Sequence, residues 1–254
     1  MTNQPNSLLL TKTNISSPYK VVGLIGVCGL AGTVWLGLFV TPPDQFMGNL
    51  VRLVYLHPPV AWVAFLAFGI TALASSLYLW KRTRSLVWDR LAGASGEVGV
   101  LFTGLTLASG MIWGRPTWGV WWTWDPLLTS TALLFLLYVG YLVLRTTSLD
   151  PNVRAKRSAV AAIIAVIDVP IVHFSVLWWR SLHQPPTVLD PTLTPHIHGE
   201  MAWTLLLGFV SMTLIYVWMT AVKYRSLVMG DRIESVWLDA ALSERRAESL
   251  VGNP

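Results

Sequence analysis

Six apolar stretches dominate this 254-residue chain: Val21 to Val40, Pro59 to Leu79, Val98 to Ile112, Leu127 to Leu144, Ala159 to Trp178 and Met201 to Val222. Runs of roughly 18 to 25 apolar residues are long enough to cross a bilayer as helices. In lipid the backbone has no water to bond to, so a helix is the form such runs must take. Composition agrees, because 54% of residues are hydrophobic and only 12% charged, against about a quarter charged in soluble domains. The fold class expected is all-α: a polytopic membrane protein, a bundle of six transmembrane helices. The spans leave no room for a soluble catalytic domain of ordinary size.

The net charge of +5 would suit nucleic acid if it were clustered, but its distribution reads as topology. Fifteen of the eighteen lysines and arginines fall before the first span, in the second and fourth loops, and after the sixth span. Only Arg52, Arg115 and Arg180 lie on the opposite side. That bias predicts both termini in the cytoplasm and loops one, three and five outside. The first apolar run is long for a signal peptide and is expected to be a retained span. Its glycines at 23, 26, 29 and 32 form a small-residue stripe suited to close helix packing, and Gly93, Gly96, Gly99 and Gly104 do the same for the third. Cys28 is the single cysteine, which excludes an internal disulfide and a Cys-x-x-Cys pair. No glycine-rich run ends in Lys-Ser/Thr, so no nucleotide hydrolysis is expected of this chain. Residues 1–225 are expected to form the membrane domain and 226–254 a cytoplasmic tail. Within that tail, Ile233, Val236, Trp237, Ala240 and Leu242 give Asp231 to Ser249 the pattern of a short amphipathic helix, lying on the membrane or docking a partner.

Chemistry concentrates on the expected outer face. Five of the fourteen tryptophans, Trp113, Trp118, Trp121, Trp122 and Trp124, crowd into the loop at 113–126, which ends Trp124-Asp125. An interfacial aromatic belt would spread over all span ends; clustering in one loop favours a planar apolar ligand. If Trp118 to Asp125 is helical, Trp118, Trp121, Trp122 and Asp125 share one face at i, i+3, i+4 and i+7. His57, before Pro58 and Pro59, and His183, before Pro185 and Pro186, reach the same side. Two neutral imidazoles beside a tryptophan platform suit axial ligation of haem iron, and Arg115, Arg52 and Arg180 could meet the propionates.

Other polar residues keep more than one reading. Asp168 lies near the middle of the fifth span, followed by Pro170 and His173. Intramembrane ionisable groups mark pathways or buried hydrogen bonds. Asp168 and His173 stand about 140° apart on an ideal helix, so direct pairing requires a kink at Pro170. With Glu97 they would form the polar path of a transporter of haem or another small substrate. His196 and His198, with Glu200 nearby, form a weak zinc or copper motif that lacks a third firm ligand.

Taken together, the Trp-Gly-x-x-Trp-Gly-x-Trp-Trp-x-Trp-Asp run at 113–125, the Leu-His-x-Pro-x-Ala-Trp form around His57, Asp168-Val-Pro170-Ile-Val-His173 and Trp178-Trp179-x-x-Leu182-His183-Gln184 resemble the haem exporter protein C family, also called cytochrome c maturation protein C. The resemblance covers all six spans, roughly residues 20 to 225.

It implies a multi-pass protein of the bacterial inner membrane that holds haem b on its periplasmic face. The tryptophan-rich "WWD" loop, with Asp125 and Arg115, would be the platform, and His57 and His183 the axial ligands. It further implies presentation of that haem to a membrane-anchored chaperone, cytochrome c maturation protein E, whose histidine becomes joined to a haem vinyl group. An ATP-binding cassette pair (maturation proteins A and B) and a small single-span protein (D) complete the implied partners, with membrane lipid and no nucleic acid. The sequence departs from the family pattern twice. Leu127 stands where many members have an arginine, and His57 is followed by two prolines where a single one, one position later, is usual.

Overall fold

A computed structural model describes residues 17–183 and 197–251, and the regular structure of those residues is helical. The order is α1 (Ser17–Phe39), a 3-10 helix (Asn49–Tyr55), α2 (His57–Leu79), α3 (Leu86–Trp118), α4 (Pro126–Leu144), α5 (Pro151–Ala165), α6 (Asp168–Trp178) and α7 (Gly199–Val251). Among the described residues, six helical segments are long and apolar enough to cross a membrane, the fifth of them comprising α5 and α6 together.

Local chemistry sets most of the ends. Ser85 opens α3 by accepting from the Val87 N–H, and Asp125 and Asp150 do the same for α4 and α5, each followed by proline in the first turn. The fifth span is broken at Val166 and Ile167. Pro170 carries no N–H for the Val166 carbonyl four residues earlier, and its ring crowds that carbonyl. At Pro170, where pairing of Asp168 with His173 would require a kink, the span is broken, and the break puts Asp168 at the start of α6.

Two expectations about helix extent change. The third span begins twelve residues earlier than its apolar run, so Asp89, Arg90 and Glu97 are helical. Asp231 to Ser249 is helical too, but as the continuation of the last span: α7 runs for 53 residues without interruption. At about 1.5 Å per residue that is roughly 80 Å, far more than a bilayer needs. Ile233, Val236 and Trp237 are exposed on the extension.

Close approach is arranged by small residues, as the glycine stripes predict. A Cβ on Gly23 or Gly29 would collide with Trp218 or Ser211, and one on Gly26 would press on Ile215, so glycine lets α1 lie close on α7. On α3, Gly96 accommodates Tyr141 and Gly99 accommodates Phe68. Phe68 in turn stacks on Tyr138 with ring centroids 3.5 Å apart, tying α2 to α4 at the middle of the bundle. This packed middle separates two ends with different chemistry: one gathers His57, the tryptophan loop and His183, and the other gathers Asp89, Arg90, Arg145, Arg154 and Asp231.

Candidate functional site

The stretch from Gly119 to Asp125 is not helical, so the shared face that a helix would give Trp118, Trp121, Trp122 and Asp125 is not formed. Helix α3 stops at Trp118 because Gly119 adopts a left-handed conformation (φ 80°) that ends the helix, and the chain stays irregular until Asp125 caps α4. Trp113 and Trp118 consequently belong to α3, and Trp121, Trp122 and Trp124 to the loop. The tryptophans divide accordingly. Trp113 meets the His57 ring edge-on at 5.7 Å, and Trp118 meets His183 edge-on at 4.5 Å. Trp122 packs against Trp124, while Trp121 and Trp124 are exposed, Trp124 at 82%. The Arg115 guanidinium bonds the Gly119 carbonyl, bracing the loop it sits beside.

Both histidines line one cavity of about 260 Å³ enclosed by α2, α3, α4, α6 and α7. Its walls include Ala61, Phe65, Leu107, Leu128, Leu134 and Phe209. The threonines that face it, Thr103, Thr106 and Thr131, donate to carbonyls of their own helices, so the interior offers few free polar groups. Leu127 lines this cavity as well.

Second contacts fix each imidazole. Ser109 Oγ donates to the Thr106 carbonyl (3.2 Å) and lies 2.9 Å from His57 Nδ1. When that hydroxyl gives its proton to the Thr106 carbonyl it accepts from His57 Nδ1, and the ring then keeps its lone pair on Nε2. Gly110 leaves the ring its space, since a Cβ there would stand 3.2 Å from His57 Cε1. For His183 the partner is Asp125, whose Oδ1 lies 3.2 Å from Nδ1. An ionised carboxylate only accepts, so this ring too holds its proton on Nδ1 and presents a bare Nε2. A carboxylate on the far nitrogen, as Asp125 is for His183, is a usual partner of metal-bound imidazoles.

Asp125 is the most heavily used side chain of the site. Oδ1 accepts from the Leu127 N–H (2.9 Å) as well as from His183, and Oδ2 accepts from the Leu182 N–H (2.7 Å). One carboxylate therefore joins the tryptophan loop, the start of α4 and the segment bearing His183. Burial pushes its pKa up, but bonds from Leu182, Ser181 and Leu127 together outweigh that and hold it below the usual carboxylate value. Burial pulls the His183 pKa below its ordinary value, with Asp125 opposing, so the ring is neutral at pH 7.

A profile of the family described as "Heme exporter protein C" matches residues 4–239. The chain belongs to that family. It is 36% identical over 217 residues to a protein of that name from Haemophilus influenzae, covering 85% of each chain. It is 30% identical over 219 residues to the Escherichia coli K12 protein of that name, covering 84% of each. It is also 31% identical over 224 residues to an Arabidopsis thaliana protein described as a putative cytochrome c biosynthesis ccmC-like mitochondrial protein, covering 88% of this chain and 83% of that one.

In this haem exporter protein C family member, sequence reasoning singled out His57, His183 and Asp125 but missed Ser109 and Gly110. Their signal is a Ser-Gly pair in a helix that needs neither, at a point 52 residues from His57 where no periodicity links them. His173 was placed on a polar path with Asp168 and Glu97; the structure puts it in the wall of the His57–His183 cavity. Asp168 is buried with its Oδ2 unbonded among the described residues. Glu97 instead pairs with Lys223 at 2.6 Å toward the opposite end. Arg52 has its Nε buried without a partner among the described residues, and Arg180 is exposed. Of the proposed His-x-His motif, His198 is exposed and His196 lies outside the described residues, as do Pro185 and Pro186.

Proposed function

We propose that this protein binds haem b between His57 and His183 at the periplasmic face of the bacterial inner membrane and presents it for covalent attachment to a haem chaperone during cytochrome c maturation. The observation that carries the reading is the pair of imidazoles in one cavity, each with Nδ1 engaged by a neighbour and, among the described residues, no hydrogen bond at Nε2. The cavity suits a porphyrin in chemistry, being apolar with aromatic edges at its mouth. It is smaller than the about 300–1,000 Å³ of sites that enclose a drug-sized ligand, which favours a ring held partly outside, its edge within reach of another protein. The exposed Trp121 and Trp124 then lie where that partner or the ring's outer face would meet them.

The cation distribution supports placing both termini, and the extension of α7, in the cytoplasm. Family membership supports a chaperone of the maturation protein E type as the recipient, with an ATP-binding cassette pair, A and B, and the small protein D as companions. In this reading the chain's residues bind and orient; ATP is hydrolysed elsewhere. A transporter reading rests on buried Asp168 and on His173, and it requires haem or proton flux into liposomes that contain this chain alone.

Absorbance of the purified protein titrated with haem tests the proposal. Wild type is expected to give a six-coordinate bis-imidazole spectrum, and His57→Ala and His183→Ala to lose it while remaining inserted in the membrane. An unchanged spectrum in both variants would overturn the assignment.

A further inference from the structure

At the end of the bundle away from the histidines, a second cavity of about 510 Å³ opens between α3, α4, α5 and α7. It is lined by arginine on one side and by Val100, Leu101, Leu142 and Leu227 on the other. The arginines differ in how well they are satisfied. Arg145 forms a two-pronged pair with Asp89 (2.6 and 3.0 Å). Arg90 uses its Nε alone, donating to Asp231 at 2.7 Å. Arg154 stands 3.8 Å from Asp89 and 3.9 Å from Asp231, both beyond hydrogen-bond reach. Its Nε is buried without a partner. Among the described residues, no hydrogen bond is made by this guanidinium, although its side chain is only 20% exposed.

A largely buried guanidinium whose Nε has no partner among the described residues is costly, and a planar fork of this kind matches the oxygens of a phosphate. The charged residues that line the gap are Arg90, Arg145 and Arg154 against Glu97 and Asp231, three against two, which leaves one positive charge uncompensated. A phosphodiester supplies one negative charge. The leucine and valine wall continues the apolar surface of the spans, so the diester's carrier is an acyl chain, and basic pockets of this type between membrane helices accept anionic head groups.

We propose that this gap is a binding site for one anionic phospholipid, whose phosphate lies between Arg154 and Arg90 and whose chain runs along Val100, Leu101, Leu142 and Leu227. The lipid would fasten α7 to α4 and α5, across a gap that protein atoms leave open. This site is independent of the haem reading.

The test uses the full-length protein purified in detergent, delipidated, and returned to nanodiscs of phosphatidylcholine alone or with phosphatidylglycerol. Native mass spectrometry is expected to show one retained phosphatidylglycerol on wild type, and about tenfold weaker retention on Arg154→Gln, the change expected for a lost charged hydrogen bond. Exposed Arg157→Gln should retain the lipid like wild type. Leu227→Trp fills the gap without touching an ion pair and should also lose the lipid, which covers the case in which Arg154→Gln fails to fold. Equal retention of the two lipids by wild type overturns the proposal. So does wild-type retention by Leu227→Trp, or displacement of the lipid by millimolar inorganic phosphate, which would mark the gap as a free-anion site.

Discussion

Replacing Asp125 with Asn changes one oxygen to an amide NH2 and leaves size and shape nearly untouched, which isolates the carboxylate's role. The wild-type side chain accepts from the Leu127 N–H, the His183 ring and the Leu182 N–H. An amide offers one acceptor oxygen where two are used. If that oxygen faces Leu127 and His183, the NH2 confronts the Leu182 N–H at 2.7 Å, donor against donor, and pushes the 181–183 segment away. If the amide is turned over, its NH2 donates to His183 Nδ1 and the imidazole proton moves to Nε2, closing the nitrogen that iron needs. Both orientations damage the ligand. Loss of a second contact to a metal-bound histidine typically costs about 10–100-fold in affinity, or about 1.4–2.7 kcal/mol, consistent with about 1.5–3 kcal/mol for a hydrogen bond to a charged group. Helix α4 keeps its cap in the first orientation, where the amide oxygen still accepts from the Leu127 N–H. The assay is haem titration by absorbance on the purified variant, with circular dichroism to verify the fold. Haem affinity and spectrum equal to wild type in Asp125→Asn would refute the argument that this carboxylate sets the His183 tautomer.

Three further expectations follow from the same geometry. Gly110→Val places branched carbons against the His57 ring, 3.2 Å from Cε1 at the first added atom, and should weaken or distort the low-spin haem spectrum while helicity stays intact. Asp89→Asn removes the partner of the largely buried Arg145 and is expected to lower stability by about 3–5 kcal/mol, read from thermal unfolding in detergent, with haem affinity in the surviving fold unaffected. Because burial keeps the His183 pKa below its ordinary 6.5, the unfolded chain binds this proton at higher pH than the native one does. The contribution of this group to stability is therefore constant above about pH 7 and falls as pH drops through 6.5 toward the lowered native value. Haem binding should likewise hold through pH 6.5 and fail only below it, and a loss beginning near pH 7.5 would contradict the neutral-imidazole assignment.

Much of the fold could be read directly. Six apolar runs predict six spans because a helix in lipid needs only length and apolarity, both local properties. The glycine stripe of α1 is legible for the same reason. The details within the spans were less legible: Gly119 stops α3 before the tryptophan spacing can make a helix, and Pro170 breaks the fifth span. The length of α7 was not legible, because polar residues after Val222 end an apolar run without ending a helix.

His57, His183 and the tryptophans were candidates by residue type alone, and the chain's order of spans was enough to expect them on one side. What only the tertiary structure decided is how they are held. Ser109 reaches His57 across 52 residues and Asp125 reaches His183 across 58, and these contacts choose which ring nitrogen is bare. The packing of five helices likewise brings His173 into the same cavity, and leaves Arg154 without a hydrogen bond at the far end. Hydrophobicity and helix periodicity act over a few neighbouring residues and are written along the chain. A proton's position on an imidazole depends on a partner a few ångströms away in space, and that partner exists only once the helices have met.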